Sequence, residues 1–285
     1  MRLFSPAKVN LYLRVLGRRP DGYHELETVF ERLSLGDEII LKKAASGIAL
    51  RTDSRKIPSG PRNLAWRAAK LLKETFKIQE GVRIHLKKNI PVSAGLGGGS
   101  SNAATVLAGL NRLWKIHLSE KKLLALGASL GSDVPFFLLD ARFAVGRGRG
   151  ERLTRIKAPR AKIWHCLVKP PFGISTKKAY QQLRLSSLTP PGGDVKMLVH
   201  SIQKGSVRRC SELLFNSLEL SLNKRVRIIS KIKNELVRQG ALAGLLSGSG
   251  SAVFGVFDSR SKAVRAARIL RKKNKSWQVF VASTR

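Results

Sequence analysis

Acidic residues are scarce in this chain. Among 285 residues, 18 Asp and Glu stand against 54 Lys and Arg, a formal net charge of +36. A surface of that sign attracts polyanions and associates with nucleic acid at low salt whatever the protein does. The bases are nevertheless spread along the chain rather than gathered into an arm or tail, with the richest runs at 142–162 and 262–275. In the second run, Lys262, Arg265, Arg268, Arg271, Lys272 and Lys275 interleave with Ala263, Val264, Ala267, Ile269 and Leu270. That is an amphipathic helix with a solvated basic face. Cysteine is nearly absent. Cys166 and Cys210 exclude a disulfide framework, nothing marks either as a metal ligand, and both read as small core residues in a reducing compartment. Long apolar runs are missing too: none approaches the roughly 20 residues that span a membrane. Met1-Arg2-Leu3-Phe4-Ser5-Pro6 is interrupted too early to read as a signal peptide. A cytoplasmic protein of one large or two modest domains is the expectation.

What is present centres on Pro91-Val92-Ser93-Ala94-Gly95-Leu96-Gly97-Gly98-Gly99-Ser100-Ser101-Asn102-Ala103-Ala104. Before it, Val82 to Leu86 alternates apolar and basic residues like a strand. After it, Ala103, Ala104, Val106, Leu107, Leu110, Leu113 and Trp114 recur at helical spacing. Glycines let backbone approach a ligand, and a new helix offers unpaired N–H groups that favour an anion. Strand, glycine loop and helix therefore suggest a phosphate site. No Lys-Ser or Lys-Thr pair follows the glycines, so the loop is not a Walker A sequence, and its glycine spacing is not the dinucleotide fingerprint.

Elsewhere the local readings are modest. Val9 to Leu16 and Ile39 to Leu41 are strand-like, with Asp21-Gly22 a turn between runs. Lys8, at a strand start, reads alone as a solvated lysine; Asn10, two residues on, shares its face. Tyr23-His24 after the turn reads alone as packing or surface. Asn63 is an N-cap for the helix that follows. Ser119 to Leu130 forms a second helix, after which Asp133 suits either an N-cap, with Pro135 in the next turn, or a chemical role. Gly146 to Glu151 resembles a hairpin tip, and Ile163 to Val168 a buried strand. Ser175 or Thr176 caps the helix containing Tyr180; helices fill much of 194–240. A helix over 259–273 and a strand over 277–281 end the chain, and the domain boundary falls near 157–160.

The glycine loop resembles the phosphate loop of the GHMP kinases, the superfamily of galactokinase, homoserine kinase and mevalonate kinase. Its triple glycine with Ser-Ser-Asn-Ala-Ala is similar to the diphosphocytidyl-methylerythritol kinase branch. So are the segments around Lys8, Tyr23-His24 and Leu130-Gly131-Ser132-Asp133-Val134-Pro135, and the Ser247-Gly248-Ser249-Gly250-Ser251 stretch resembles the third GHMP motif. The resemblance spans essentially the whole chain. It implies an α+β, two-domain GHMP kinase fold: residues 1–157 like ribosomal protein S5 domain 2, carrying the phosphate loop, and 158–285 ferredoxin-like.

It also implies roles. Lys8 and Asp133 would be catalytic. Residues Pro91, Val92, Ser93, Ala94, Gly95, Leu96, Gly97, Gly98, Gly99, Ser100 and Ser101 would hold the ATP triphosphate, with Asn63 and Lys88 near its nucleoside. Asn10 would meet the polyol end of the substrate. His24 would read the cytosine edge, with Tyr23 and Tyr180 clamping its faces, and Thr176 would lie on the substrate-facing helix. The third motif is expected as a tight turn between a helix and a strand. ATP and Mg²⁺ are the implied cofactors, the metal's ligands unassigned for want of a Walker-type carboxylate. A small-molecule substrate, no membrane and a monomer or weak homodimer complete the expectation. A GHMP kinase of other specificity, or a nucleic-acid-binding protein on an S5-like fold, are the competing readings.

Overall fold

The computed structural model describes residues 1–160, 162–183, 194–221 and 226–285. The chain forms two compact units, one of residues 1–7, 36–92 and 97–140, the other of 8–35, 93–96 and 141–285.

In the first unit, the C-terminal part of strand β2 (His24–Ala44) pairs antiparallel with β4 (Gly81–Lys87), and β3 (Ile48–Thr52) pairs parallel on the other side of β4. Helices α1 (Leu64–Thr75), α2 (Gly98–Leu113), α3 (Glu120–Leu130) and the short α4 (Val134–Leu138) complete it. Ile39, Leu41, Ile84 and Leu86 of the strands share one core with Ala68 and Leu72 of α1 and with Val106, Leu107 and Leu110 of α2. Gly109 lets this helix sit close, since a Cβ there would lie 2.5 Å from Leu3 and 2.6 Å from Leu41. The helix starts are written in the sequence: the Asn63 side chain accepts from Ala65 N–H, and that of Ser119 from Lys122 N–H.

In the second unit, strand β1 (Arg2–Arg18) pairs parallel with β8 (Phe215–Asn216), Tyr12 opposite Phe215. The first part of β2 pairs with β5 (Phe143–Gly148), which forms the expected hairpin with β6 (Arg152–Ile156). A separate antiparallel sheet runs in the order β11 (Gln278–Ser283), β7 (Trp164–Lys169), β10 (Val253–Phe257), β9 (Ala243–Leu246). Helices α8 (Val226–Arg238) and α9 (Arg260–Lys273) pack on it through Ile229, Ile232, Leu236, Ala263, Ala266, Ala267 and Leu270. The helix pattern at 262–275 is thus borne out, its bases on the exposed side. Helices α5 (Thr176–Gln181), α6 (Val195–Gln203) and α7 (Val207–Glu212) lie between β7 and β8 in the chain. Cys166 and Cys210 are free and buried, and burial pushes both thiols up to about 12.

Two expectations change. The strands of the first 44 residues are far longer than their apolar runs, because charged side chains are buried within them. The third glycine motif joins two strands, β9 and β10, rather than a helix to a strand. Leu245 and Leu246 are consumed in pairing with Phe254 and Val253, so no helix reaches the turn.

Candidate active site

Lys8 lies in the middle of β1, within a run from Ser5 to Leu13 in which every side chain is buried. This overturns its reading as a solvated lysine at a strand start. A buried ammonium is costly unless its donors are satisfied. Here Nζ donates to Asn10 Oδ1 at 2.6 Å and stands 5.4 Å from the Phe30 ring centroid. Asn10 in turn donates to Thr28 Oγ1 at 2.8 Å, and Thr28 donates to the Tyr12 carbonyl at 2.6 Å. Strand alternation put Lys8 and Asn10 on one face, and the hydrogen bond bears that out.

The Ser247–Ser251 turn closes on this pair. A Cβ on Gly248 would sit 3.2 Å from Asn10 Oδ1 and 3.4 Å from Lys8 Nζ. Ser247 Oγ donates to the Gly95 carbonyl at 3.0 Å, and Ala252 N–H to the Ala94 carbonyl at 3.0 Å. Gly95, at φ +75°, admits no side chain: a Cβ would lie 2.0 Å from the Ser247 carbonyl oxygen. Ser249 Oγ lies 2.9 Å from Thr176 Oγ1, while Ser175 is the residue that caps α5. Lys8, Asn10, Ser93 to Leu96, Thr176 and the glycine turn therefore belong to one unit.

The remainder of the loop belongs to the other unit. Gly97, at φ +68°, is the N-cap of α2, so the helix starts at Gly98. Ser101 N–H already donates to the Gly97 carbonyl at 2.8 Å, and its hydroxyl lies 2.8 Å from that of Ser5. The donors left for an anion are those of Gly98, Gly99 and Ser100. Beneath them, Lys88 is ion-paired with Asp37 and lies 3.4 Å from Asn102 Oδ1. Asn63 keeps its capping role and also donates to the Pro58 carbonyl at 2.7 Å. Pro91 and Val92 are half-buried ahead of the turn. Asp133 is half-buried at the start of α4, and its side chain makes no capping bond to that helix.

At the far end of β1, His24 packs its ring on Tyr180, with centroids 5.1 Å apart and planes 30° from parallel. Burial, and secondly the charge of Arg18, lower the His24 pKa below its ordinary value. Tyr23 is exposed, and the Arg149 guanidinium sits 4.7 Å from its ring centroid. Tyr180 thus packs on His24, the residue implied to read the cytosine edge. Asp37, Asn102 and Thr28 are polar residues at these sites that sequence reasoning did not single out. A carboxylate between apolar Leu35 and Ile39 was the available signal for the first.

Family models for the GHMP kinases match this chain, the N-terminal domain over residues 63–141 and the C-terminal over 198–276. The 4-diphosphocytidyl-2-C-methyl-D-erythritol kinase of Acetivibrio thermocellus is 39% identical over 282 residues, covering 99% of this chain and 98% of that protein. The chain belongs to the 4-diphosphocytidyl-2-C-methyl-D-erythritol kinase family. The Geobacillus kaustophilus member is 44% identical over 269 residues, covering 94% of this chain and 91% of its own. A crystal structure of a 4-(cytidine 5'-diphospho)-2C-methyl-D-erythritol kinase superposes with a TM-score of 0.85 at 36% identity, over 99% of this chain and 98% of that one. The α+β GHMP kinase fold is thereby established, as is the enzyme class: a phosphotransferase that uses ATP. No helix among the described residues is long and apolar enough to cross a membrane.

Proposed function

We propose that the enzyme transfers the γ-phosphoryl group of ATP to the 2-hydroxyl of 4-diphosphocytidyl-2-C-methyl-D-erythritol, a step of non-mevalonate isoprenoid synthesis. The observation that carries the chemistry is Lys8, a buried ammonium held by Asn10 beside the glycine turn. In this reading the hydroxyl oxygen bonds to the γ-phosphorus as the bond to the β–γ bridging oxygen breaks, and ADP leaves. Asp133 takes or orients the hydroxyl proton, and Lys8 stabilises the charge that develops on oxygen. The N–H groups of Gly98, Gly99 and Ser100 receive phosphate oxygens. Residues 91–97 shape the loop, and Asn63 and Lys88 lie toward the nucleoside. Asn10 meets the polyol end and Thr176 lies on the substrate-facing helix, while His24, Tyr23 and Tyr180 form the cytosine end.

Mg²⁺ belongs to the same proposal. Among the described residues no group of three or more His, Cys, Asp or Glu side chains forms a metal cage. Mg²⁺ beside a nucleotide needs no such cage: one or two carboxylates and the nucleotide's own phosphates would hold it, and no step is routed through the metal. The partition into 1–157 and 158–285 is proposed as the functional one, the two family matches falling on either side of it. A cytoplasmic location accords with the two free, buried cysteines, and a monomer or weak homodimer belongs to the same proposal. Nucleic-acid association is a side effect of the +36 charge in this reading.

The test is ADP production with Mg²⁺-ATP across a panel of 4-diphosphocytidyl-2-C-methyl-D-erythritol, mevalonate, homoserine and galactose. Turnover confined to the cytidine compound is expected. Preference for another alcohol removes the substrate assignment and leaves the kinase.

A further inference from the structure

Asp37 is fully buried on β2 and has no role in the chemistry proposed above, although it is ion-paired with Lys88. All of its acceptor capacity is used. Oδ1 accepts from Asn89 N–H and Ile90 N–H, each at 2.8 Å. Oδ2 accepts from Lys88 Nζ and from Asn102 Nδ2, the latter at 2.8 Å. Asn102 Nδ2 also donates to Ser5 Oγ at 2.9 Å, which lies against Ser101. One carboxylate therefore ties a strand, the segment leading into the glycine loop, and the first turns of α2.

Lys88 lies against the start of α2, beside Ile90. A Cβ on Gly98, the first residue of α2, would stand 3.2 Å from its Nζ. Gly98 thus rests on Ile90 and on the Lys88 ammonium, both of which are hydrogen-bonded to Asp37. A buried ion pair adds little stability over well-packed apolar side chains, so the role argued for Asp37 is one of placement.

We infer that Asp37 is a positioning residue for the nucleotide phosphates, acting through Lys88 and Asn102 to aim the N–H groups of Gly98, Gly99 and Ser100. This rests on the proposal that those groups receive ATP. In Asp37→Asn the amide keeps the bonds from Asn89 and Ile90 but turns a donor toward Lys88 and Asn102. The exchange Asp37→Asn with Asn102→Asp moves the carboxylate across the same contact, where it again accepts from Lys88, from the new amide at 37 and from Ser5.

The experiment is ATP binding by calorimetry and steady-state kinetics on the full chain, with circular dichroism to follow folding. Asp37→Asn is expected to weaken ATP binding and raise its KM at least 10-fold, leaving the KM of the cytidine substrate unchanged. The exchanged double variant should recover most of the affinity. A wild type that does not bind ATP would defeat the proposed function itself. A wild type that binds ATP, with Asp37→Asn binding it equally well, would overturn the inference alone. So would a folded single variant whose loss the exchange does not repair, or an exchanged variant that does not fold.

Discussion

His24 is the residue whose titration would report the proposed contact with cytosine. Its pKa is lowered by burial and by Arg18, so at neutral pH the ring is uncharged and one ring nitrogen is an acceptor. Because the folded value lies below the ordinary 6.5 or so, protonation begins only as the pH falls past that range. The KM of the cytidine substrate should therefore be flat from pH 8 to near 6.5 and rise below it. His24→Gln should abolish that acid limb while leaving ATP affinity intact; a limb that persists in the variant assigns it to another group. Tyr23-His24 stood out only through the family resemblance, and its geometry was not legible at all. Tyr180 pairs with His24 through tertiary packing around Leu13, Val15 and Leu26 that no local pattern encodes. Lys8 was opaque for the same reason: local rules place a lysine in water, and only a strand covered on both faces buries it.

Among the elements, those that announce themselves do so through caps and turns. Asn63, Ser119 and Ser259 each accept a first-turn N–H, and the Asp21-Gly22 turn separates β1 from β2 as expected. Asn63 carries two roles that substitution separates. Asn63→Ala should cost about 1 kcal/mol of stability through loss of the cap, whereas Asn63→Asp should retain it. If Asn63 also meets the nucleoside, both variants raise the KM of ATP, as thermal melts and kinetics run in parallel would record. An unchanged KM in Asn63→Asp leaves the residue a cap and nothing more. The long strands were less legible because they carry buried charge. Glu31 accepts from Thr284 Oγ1 at 2.6 Å and lies 3.0 Å from His165 Nε2, and Asp37 has four donors; neither partner set is near in sequence. The turn after β9 was misjudged because two residues, Leu245 and Leu246, suit a helix end and a short strand equally.

For the molecule as a whole, the proposed function treats the charge of +36 as a property of the surface rather than of the reaction. Binding to a DNA duplex should be measurable at low salt and fall steeply with added salt, the log–log slope reporting the phosphates neutralised. Turnover should not follow it. Activity that rises and falls with DNA occupancy would make nucleic acid a partner in function. The order of motifs along the chain was readable from sequence, as was the family; the units into which they fold were not, since β1 and β2 each contribute to both. The central claim is that Lys8 and Asp133 carry out phosphoryl transfer on 4-diphosphocytidyl-2-C-methyl-D-erythritol. Its most direct test is substrate-dependent ADP production under saturating Mg²⁺-ATP, for the wild type, Lys8→Ala and Asp133→Ala. The account predicts turnover only with the substrate present, and a fall of at least about 10²-fold in each variant, the scale of a lost proton-transfer or charge-stabilising group. Near-normal turnover in either folded variant would contradict it.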